Sequence, residues 1–263
     1  MAANLFKSNS GSCRQKDYVI DIHCHVLPEV DDGPKTWDMA LEMCRMAAAD
    51  GITHIVATPH ANDRYPYDRS VLTGALAHLR RLAGDRPKLS LGCDFHLSYE
   101  NLQDLFAQPD RYTLEGSKYL LVEFSNYSVP AQISETFKKM ENHGITPVIT
   151  HPERNPILQR SPERVLEWAG QGCVVQVTAS AFTGLWGEGV QQAARWLLDR
   201  GAVHLLASDA HDTRYRIPNL SAGRDAVAKI AGAETAHALV EENPRAVVSG
   251  QPLPYIPKAE SRK

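Results

Sequence analysis

The 263 residues are 43% hydrophobic and 22% charged, and 28 basic against 31 acidic side chains leave a net charge of −3. These proportions exclude collagen-like, disordered and membrane-embedded classes, and a nucleic-acid partner, which calls for a basic excess, is not expected. A chain of this length buries roughly 70–75% of the surface it exposes unfolded, enough for one large core.

Residues 1–17 lack the apolar centre of a signal peptide and read as a flexible N-terminal tail. A nearly continuously apolar strand is predicted over 18–22. After it, Trp37, Ala40, Leu41, Cys44, Ala47 and Ala48 recur at helical spacing until Gly51 stops them. Further strands are predicted over 53–58, 88–93, 118–124, 145–150, 173–178 and 203–207. Helical patterns separate them over 68–83, 131–143, 161–170 and 188–200, with a shorter one at 98–106. Ser161 before Pro162 reads as a helix cap followed by a first-turn proline, and Asn243 before Pro244 repeats the signal. Helices are also predicted over 219–231 and 233–242, then a short one ending at Gly250, and 251–263 reads as an extended tail.

Seven apolar strands alternating with helices, with no linker between them, predict one α/β domain over 18–250. Its strands should be parallel and covered on both faces, either doubly wound or closed into a barrel. No run approaches the roughly 20 apolar residues of a membrane span, so no membrane insertion is expected. Cys13, Cys24, Cys44, Cys93 and Cys173 are odd in number and lack CxxC spacing. Free thiols and a cytoplasmic location are therefore predicted.

The chemistry-bearing residues gather where the strands end. The first strand runs into Asp21-Ile22-His23-Cys24-His25, and residues two apart in a strand share a side, so both histidines can grip one cation. Asp31-Asp32-Gly33 follows, which alone reads as a capped turn. The next strand ends reach Thr58-Pro59-His60, Cys93-Asp94 and Glu123, then His151-Pro152-Glu153-Arg154 and Ser208-Asp209-Ala210-His211. Only the sixth strand, ending Val177-Thr178, offers no metal ligand. A carboxylate such as Glu123 in an apolar strand is costly unless it is paired or bound to a cation.

Five histidines and four carboxylates at one mouth exceed the four ligands of a single structural zinc and suit two or three divalent ions. His54, His78, His143, His204 and His237 read as core or helix residues, and His96 as a weaker candidate at the mouth. Cys24 lies between two ligand positions but alternation turns it away. Neither a Cys-x5-Arg loop, a Gly-x-Ser-x-Gly elbow, a Walker A loop nor a His-Glu-x-x-His helix occurs.

In order and spacing these motifs, from about Tyr18 to Gly250, resemble the PHP (polymerase and histidinol phosphatase) superfamily. More closely, they are similar to its branch of bacterial manganese-dependent protein-tyrosine phosphatases linked to capsule and exopolysaccharide synthesis. The resemblance implies a distorted (β/α)7 barrel, PHP-like, around two or three divalent cations. Manganese is the first expectation, with iron, zinc, cobalt and magnesium as alternatives. The implied ligands are His23, His25, Asp32, His60, Asp94, Glu123, His151, Asp209 and His211. The family usually has glutamate where Asp94 stands, which leaves open whether Asp94 spans two cations or binds one.

Arg154 and Arg216 match the family's phosphate-binding arginines and are the implied catalytic residues; surface ion pairs are the plain alternative. The loop 62–67, with Arg64, Tyr65 and Tyr67, reads as a rim for an extended peptide or as an ordinary connection. The implied substrate is a phosphotyrosine protein, a bacterial tyrosine kinase with a tyrosine-rich tail. Three other readings compete: a phosphoesterase of the same superfamily acting on a metabolite such as histidinol phosphate, an amidohydrolase, and a degenerate binding domain. The last two fit less well, because Glu123 stands where amidohydrolases often use a carboxylated lysine and because all nine positions keep metal-binding residue types.

Overall fold

The computed structural model describes residues 18–258; the N-terminal tail with Cys13, and the last five residues of the expected C-terminal extension, lie outside the described residues. The chain alternates strand and helix. β1 (Val19–Cys24) leads to α1 (Trp37–Ala49), β2 (Ile52–Ala57) and the two-residue β3 (His60–Ala61). α2 (Arg69–Ala83), β4 (Lys88–Leu91), β5 (Asp94–His96), α3 (Tyr99–Ala107) and β6 (Tyr119–Glu123) come next. The second half holds α4 (Ile133–Asn142), β7 (Thr146–Thr150), α5 (Pro156–Arg160), α6 (Glu163–Gly170), β8 (Val174–Thr178), α7 (Glu188–Asp199) and β9 (Leu205–Ala207). It closes with α8 (Ser221–Ala231), α9 (Ala233–His237) and α10 (Asn243–Val248).

Helix starts follow local chemistry. Thr36 Oγ1 accepts from the Met39 amide, and the Asp68 carboxylate accepts from the Ser70 and Val71 amides, each satisfying donors that the first turn leaves free. Two predicted caps are not used. Ser161 already terminates α5, its amide donating to Leu158 O, so α6 starts behind Pro162 with no side-chain cap. Asn243 has no free helix end to cap, because a π-turn at 238–242 carries α9 straight into α10. Its carboxamide instead donates to the carbonyls of His204 and Tyr255 and accepts from the Tyr255 amide, tying segment 251–258 to the body.

All seven predicted strands form, and all pair in parallel. Beyond the runs 53–58 and 88–93 the chain kinks and resumes as β3 and β5, which were not expected, so β1-β2-β4 form one sheet and β3-β5-β6-β7-β8-β9 another. Pro59 removes a ladder donor at the first break. At the second, a Cβ on Gly92 would lie 2.4 Å from Leu114 Cδ2, so a larger residue would have to displace the Leu114 side chain. The Gly92 amide reaches Ala57 O and the Asp94 amide reaches Pro59 O, which joins the sheets across the kinks. At the far edge β1 meets β9 through Asp209 N to His23 O and His25 N to Ala210 O, both 2.8 Å. The hydrogen-bonded ladder among the described residues is thus two parallel sheets, and a closed sheet is not formed.

Side chains alternate across the strands. Ile20, Ile22, Val56, Tyr119, Leu121, Val148, Val174 and Leu205 share one buried cluster, whereas Leu120, Val122, Ile149, Val175 and Leu206 join the helices in a larger one. Both faces are covered, which explains why the strands read as continuous apolar runs. Trp168 anchors one side of the helix layer, with Phe124 and Phe137 rings 5.4 and 5.6 Å away. The cysteines among the described residues, Cys24, Cys44, Cys93 and Cys173, are free and buried.

Candidate metal centre

Parallel strands bring their C-terminal ends to one side, and the nine predicted ligands meet there. Candidate ligand atoms fall into four overlapping groups, the atoms of each within 4.8 Å of one another. One holds His25, Asp32, His60 and His211; the others hold His23, His25 and Asp94, then His23, His151 and Asp209, then His60, Asp94 and Glu123. Asp94 belongs to two groups, its Oδ2 lying 3.5 Å from His23 Nε2 and 3.1 Å from His60 Nδ1. Asp32 Oδ1 lies 3.4 Å from His60 Nε2 and 3.3 Å from His211 Nε2.

Local backbone aims two of these side chains. His151 and Asp209 leave their strands with φ of 32° and 50°, left-handed conformations that cost a non-glycine residue about 1–3 kcal/mol. Gly33 shapes a third approach, since a Cβ there would fall 2.6 Å from His25 O.

Three histidines have one ring nitrogen tied outward and the other turned inward. His25 Nδ1 donates to Asp31 Oδ2 at 2.7 Å, His23 Nδ1 lies 3.0 Å from Gln176 Oε1, and His211 Nδ1 lies 3.0 Å from Asp209 O. Their Nε2 atoms face the carboxylates, with His23 Nε2 and His25 Nε2 3.2 Å apart. Outer partners of this kind fix ring orientation and tautomer in metal sites.

Asp31 and Gln176, to which motif reading assigns no role, contact candidate ligands directly. Asp31 takes the turn-capping role, accepting from the Gly33 amide at 2.9 Å, which frees its neighbour Asp32 to face the histidines. Gln176 sits mid-strand on β8, the strand without a ligand, and its only sequence signal is a buried amide in an apolar run. Asp21 accepts from the Ser208 amide and hydroxyl and pins the segment after β9 to β1.

Burial pushes the His23 imidazole down, but the Asp209 and Asp94 carboxylates outweigh it and hold the group at about 9. Burial, and then the His25 charge, depress His211 to about 4. Burial and Arg154 hold His151 well below the usual histidine range. His151 and His211 are thus neutral donors at pH 7, while His23 carries a proton that an incoming cation would displace.

Arg154 and Arg216 flank the centre at Asp209. Arg154 Nη1 makes a very short contact with Asp209 Oδ2, and Arg216 Nη2 reaches the same oxygen at 2.6 Å. Asp209 Oδ1 faces the other way, 3.3 Å from His23 Nε2 and 3.4 Å from His25 Nε2. The arginines are therefore ion-paired, but inside the site and not on an open surface.

Tyr67 does not form a rim: it is buried, and its hydroxyl donates to Gly92 O. Tyr65 stacks on His60 with centroids 6.0 Å apart and Arg64 beside it. His96 Nδ1 lies 3.7 Å from Glu123 Oε2, at the edge of the centre but in none of the four groups. His54 and His204 are core residues, bound to Ser90 Oγ and the Val175 amide. A groove lined by Phe137, Thr146 and Cys173 lies at the opposite, N-terminal ends of the strands.

Fold and donor set together define an α/β protein that gathers metal-ligand side chains at the ends of parallel strands. The chain belongs to the capsular polysaccharide synthesis family CpsB/CapC, whose sequence profile matches residues 19–249. It is 34% identical over 202 residues to tyrosine-protein phosphatase YwqE of Bacillus subtilis, covering 75% of this chain and 79% of that one. To tyrosine-protein phosphatase CpsB of Streptococcus pneumoniae it is 30% identical over 242 residues, covering 89% and 99%. Among solved structures it superposes with a TM-score of 0.84, at 30% identity and over 92% of this chain and 100% of the other, on one from work on YwqE and CpsB described as unique metal-dependent tyrosine phosphatases.

Proposed function

We propose that this chain is a metal-dependent protein-tyrosine phosphatase of capsule or exopolysaccharide synthesis, with residues 18–250 as one catalytic unit. Its two sheets, bridged at the kinks and between β1 and β9, are read as a distorted, interrupted (β/α)7 barrel. The reading is carried by the meeting of five histidines and four carboxylates beside two arginines that share one oxygen.

The residues fit divalent cations. Asp94 Oδ1 is buried with no hydrogen-bond partner, and His60 Nδ1 and His211 Nε2 are buried with carboxylate oxygens at 3.1 and 3.3 Å that do not form hydrogen bonds, an arrangement that a cation relieves. Mixed imidazole and carboxylate donors suit manganese, our first assignment, with iron, zinc, cobalt or magnesium as alternatives. His23, His25, Asp32, His60, Asp94, Glu123, His151, Asp209 and His211 would hold two or three ions, with Asp94 between two of the groups. Such ions, when bound, supply Lewis acidity that lowers the pKa of water and offsets phosphoryl charge.

Arg154 and Arg216 would bind phosphoryl oxygens bidentately and stabilise the charge that builds in the transition state. No thiol among the described residues is placed to serve as nucleophile. Cys24 and Cys93 are fully buried, and burial pushes both thiols well up. A tyrosine leaving group, with a pKa of about 10, needs less acid assistance than an alkyl alcohol. The physiological substrate is proposed to be a cytoplasmic bacterial tyrosine kinase with a tyrosine-rich tail. No helix among the described residues is long and apolar enough to cross a membrane.

Turnover of a phosphotyrosine peptide by chelated protein, protein reloaded with Mn2+, and the Cys24→Ser variant tests this reading. Activity should vanish on chelation, return with Mn2+ and persist in Cys24→Ser. Full activity after chelation would sink the mechanism, and turnover of histidinol phosphate without turnover of the peptide would overturn the substrate.

A further inference from the structure

We propose that Trp186 is a positioning residue that holds Arg154 and Arg216 together as one phosphoryl clamp. The inference rests on the phosphatase reading for the clamp's ligand. Two guanidinium groups meet at a single oxygen, Asp209 Oδ2, while Oδ1 of the same carboxylate is turned to His23 and His25. Glu153 and Glu123 add attraction for Arg154, and Asp212 adds attraction for Arg216, but these charges act on one arginine or the other. Besides Asp209, Trp186 is a group that meets both guanidiniums. The Arg154 guanidinium carbon lies 4.3 Å from the indole ring centre and that of Arg216 lies 5.6 Å away, both within the range where an aromatic face attracts a cation.

The indole is itself fixed. Its Nε1 donates to Ser180 Oγ at 2.9 Å. Ser180 O accepts from the Leu185 amide and from Thr183 Oγ1, and Gln191 Nε2 on α7 braces Phe182 O at 2.8 Å. The loop takes its sharp path at Gly184 and Gly187, with φ of 85° and 88°. It follows β8, whose Gln176 orients His23, while the loop beyond that strand serves the arginines.

The test compares Trp186→Leu, which keeps apolar bulk without a ring, with Trp186→Phe, which keeps an aromatic face. Each Mn2+-loaded protein is measured for kcat and KM on a phosphotyrosine peptide, for the Kd of inorganic phosphate by calorimetry, and for metal content and Tm. Trp186→Leu should lower kcat/KM and weaken phosphate binding by similar factors, about tenfold, for the loss of two cation–π contacts. Metal content should not change, and Trp186→Phe should recover most of the loss. In an Arg154→Ala, Arg216→Ala background the same substitution should have almost no further effect.

A raised peptide KM with unchanged phosphate Kd would overturn the proposal, because phosphate has no ring and the indole would then touch the substrate's tyrosine. Equal impairment of the Leu and Phe variants, or loss of metal, would overturn it in favour of a purely structural role. Phosphate binding is read without turnover, so a wild-type protein inactive on the peptide counts against the phosphatase reading alone.

Discussion

Asp31 accepts the Nδ1 proton of His25 at 2.7 Å while its backbone neighbour Asp32 faces His60 and His211. Adjacent residues of one turn thus do different work: one orients a donor and the other stands among the donors. Asp31 is 6% exposed, and it also accepts from the amides of Gly33 and His60, so a single carboxylate fixes the turn, the imidazole and the entry to β3.

Asp31→Asn should therefore weaken metal binding without removing a ligand. Loss of an outer carboxylate partner typically costs about 10–100-fold in metal affinity. Titration of the chelated variant with Mn2+, followed by peptide turnover, should show activity restored only at correspondingly higher Mn2+. An unchanged titration would mean that His25 needs no outside orientation.

Arg154→Ala and Arg216→Ala should each reduce kcat/KM for a phosphotyrosine peptide by roughly 10²–10³ with metal content retained. Both side chains converge on Asp209 Oδ2, so the double variant should lose less than the product of the two single losses. Multiplicative losses in the double variant would show that the arginines act independently.

The seven strands and the nine candidate ligands were legible in the sequence because each obeys a local rule. Buried parallel strands are apolar on both faces, and ligand-type residues stand where such strands stop. What was not legible depends on long-range packing. One break follows Pro59, but the other lies where Gly92 passes Leu114, twenty-two residues further on, and no local signal announces that contact. Gln176 and Trp186 lie on and after the strand with no ligand, and they act only through His23, Arg154 and Arg216, which reach them from other strands. Asn243-Pro244 misled for the opposite reason: the local signal was sound, but the preceding helix never ended.

Gly223→Ala should destabilise the fold in the region that carries Trp186. A Cβ at Gly223 would lie 2.4 Å from Ala179 O, a backbone atom that cannot rotate away, so α8 must withdraw from the turn after β8. Overpacking of this kind costs about 1–3 kcal/mol, seen as a lower Tm at saturating Mn2+. A Tm equal to wild type would show that α8 shifts freely, and that the turn after β8 is less firmly held than the packing implies.

His204 should make stability depend on pH in the mildly acid range. It is 6% exposed, and its Nδ1 accepts from the Val175 amide at 3.2 Å, so the folded chain needs the neutral ring. Burial lowers its pKa from 6.5 to about 4. Between those values the unfolded chain binds a proton that the folded chain does not. Its contribution is thus complete above pH 6.5 and is lost as the pH falls to about 4, amounting to about 3 kcal/mol in all. Denaturant unfolding of wild type and His204→Gln should be compared at several pH values within that window, at one fixed Mn2+ concentration. Acid release of metal occurs in both proteins and cancels in the difference. The variant should be less stable at pH 7.5 yet lose less on acidification, so the two curves converge toward pH 4. Parallel curves would show that the ring of His204 takes up its proton without disturbing the fold.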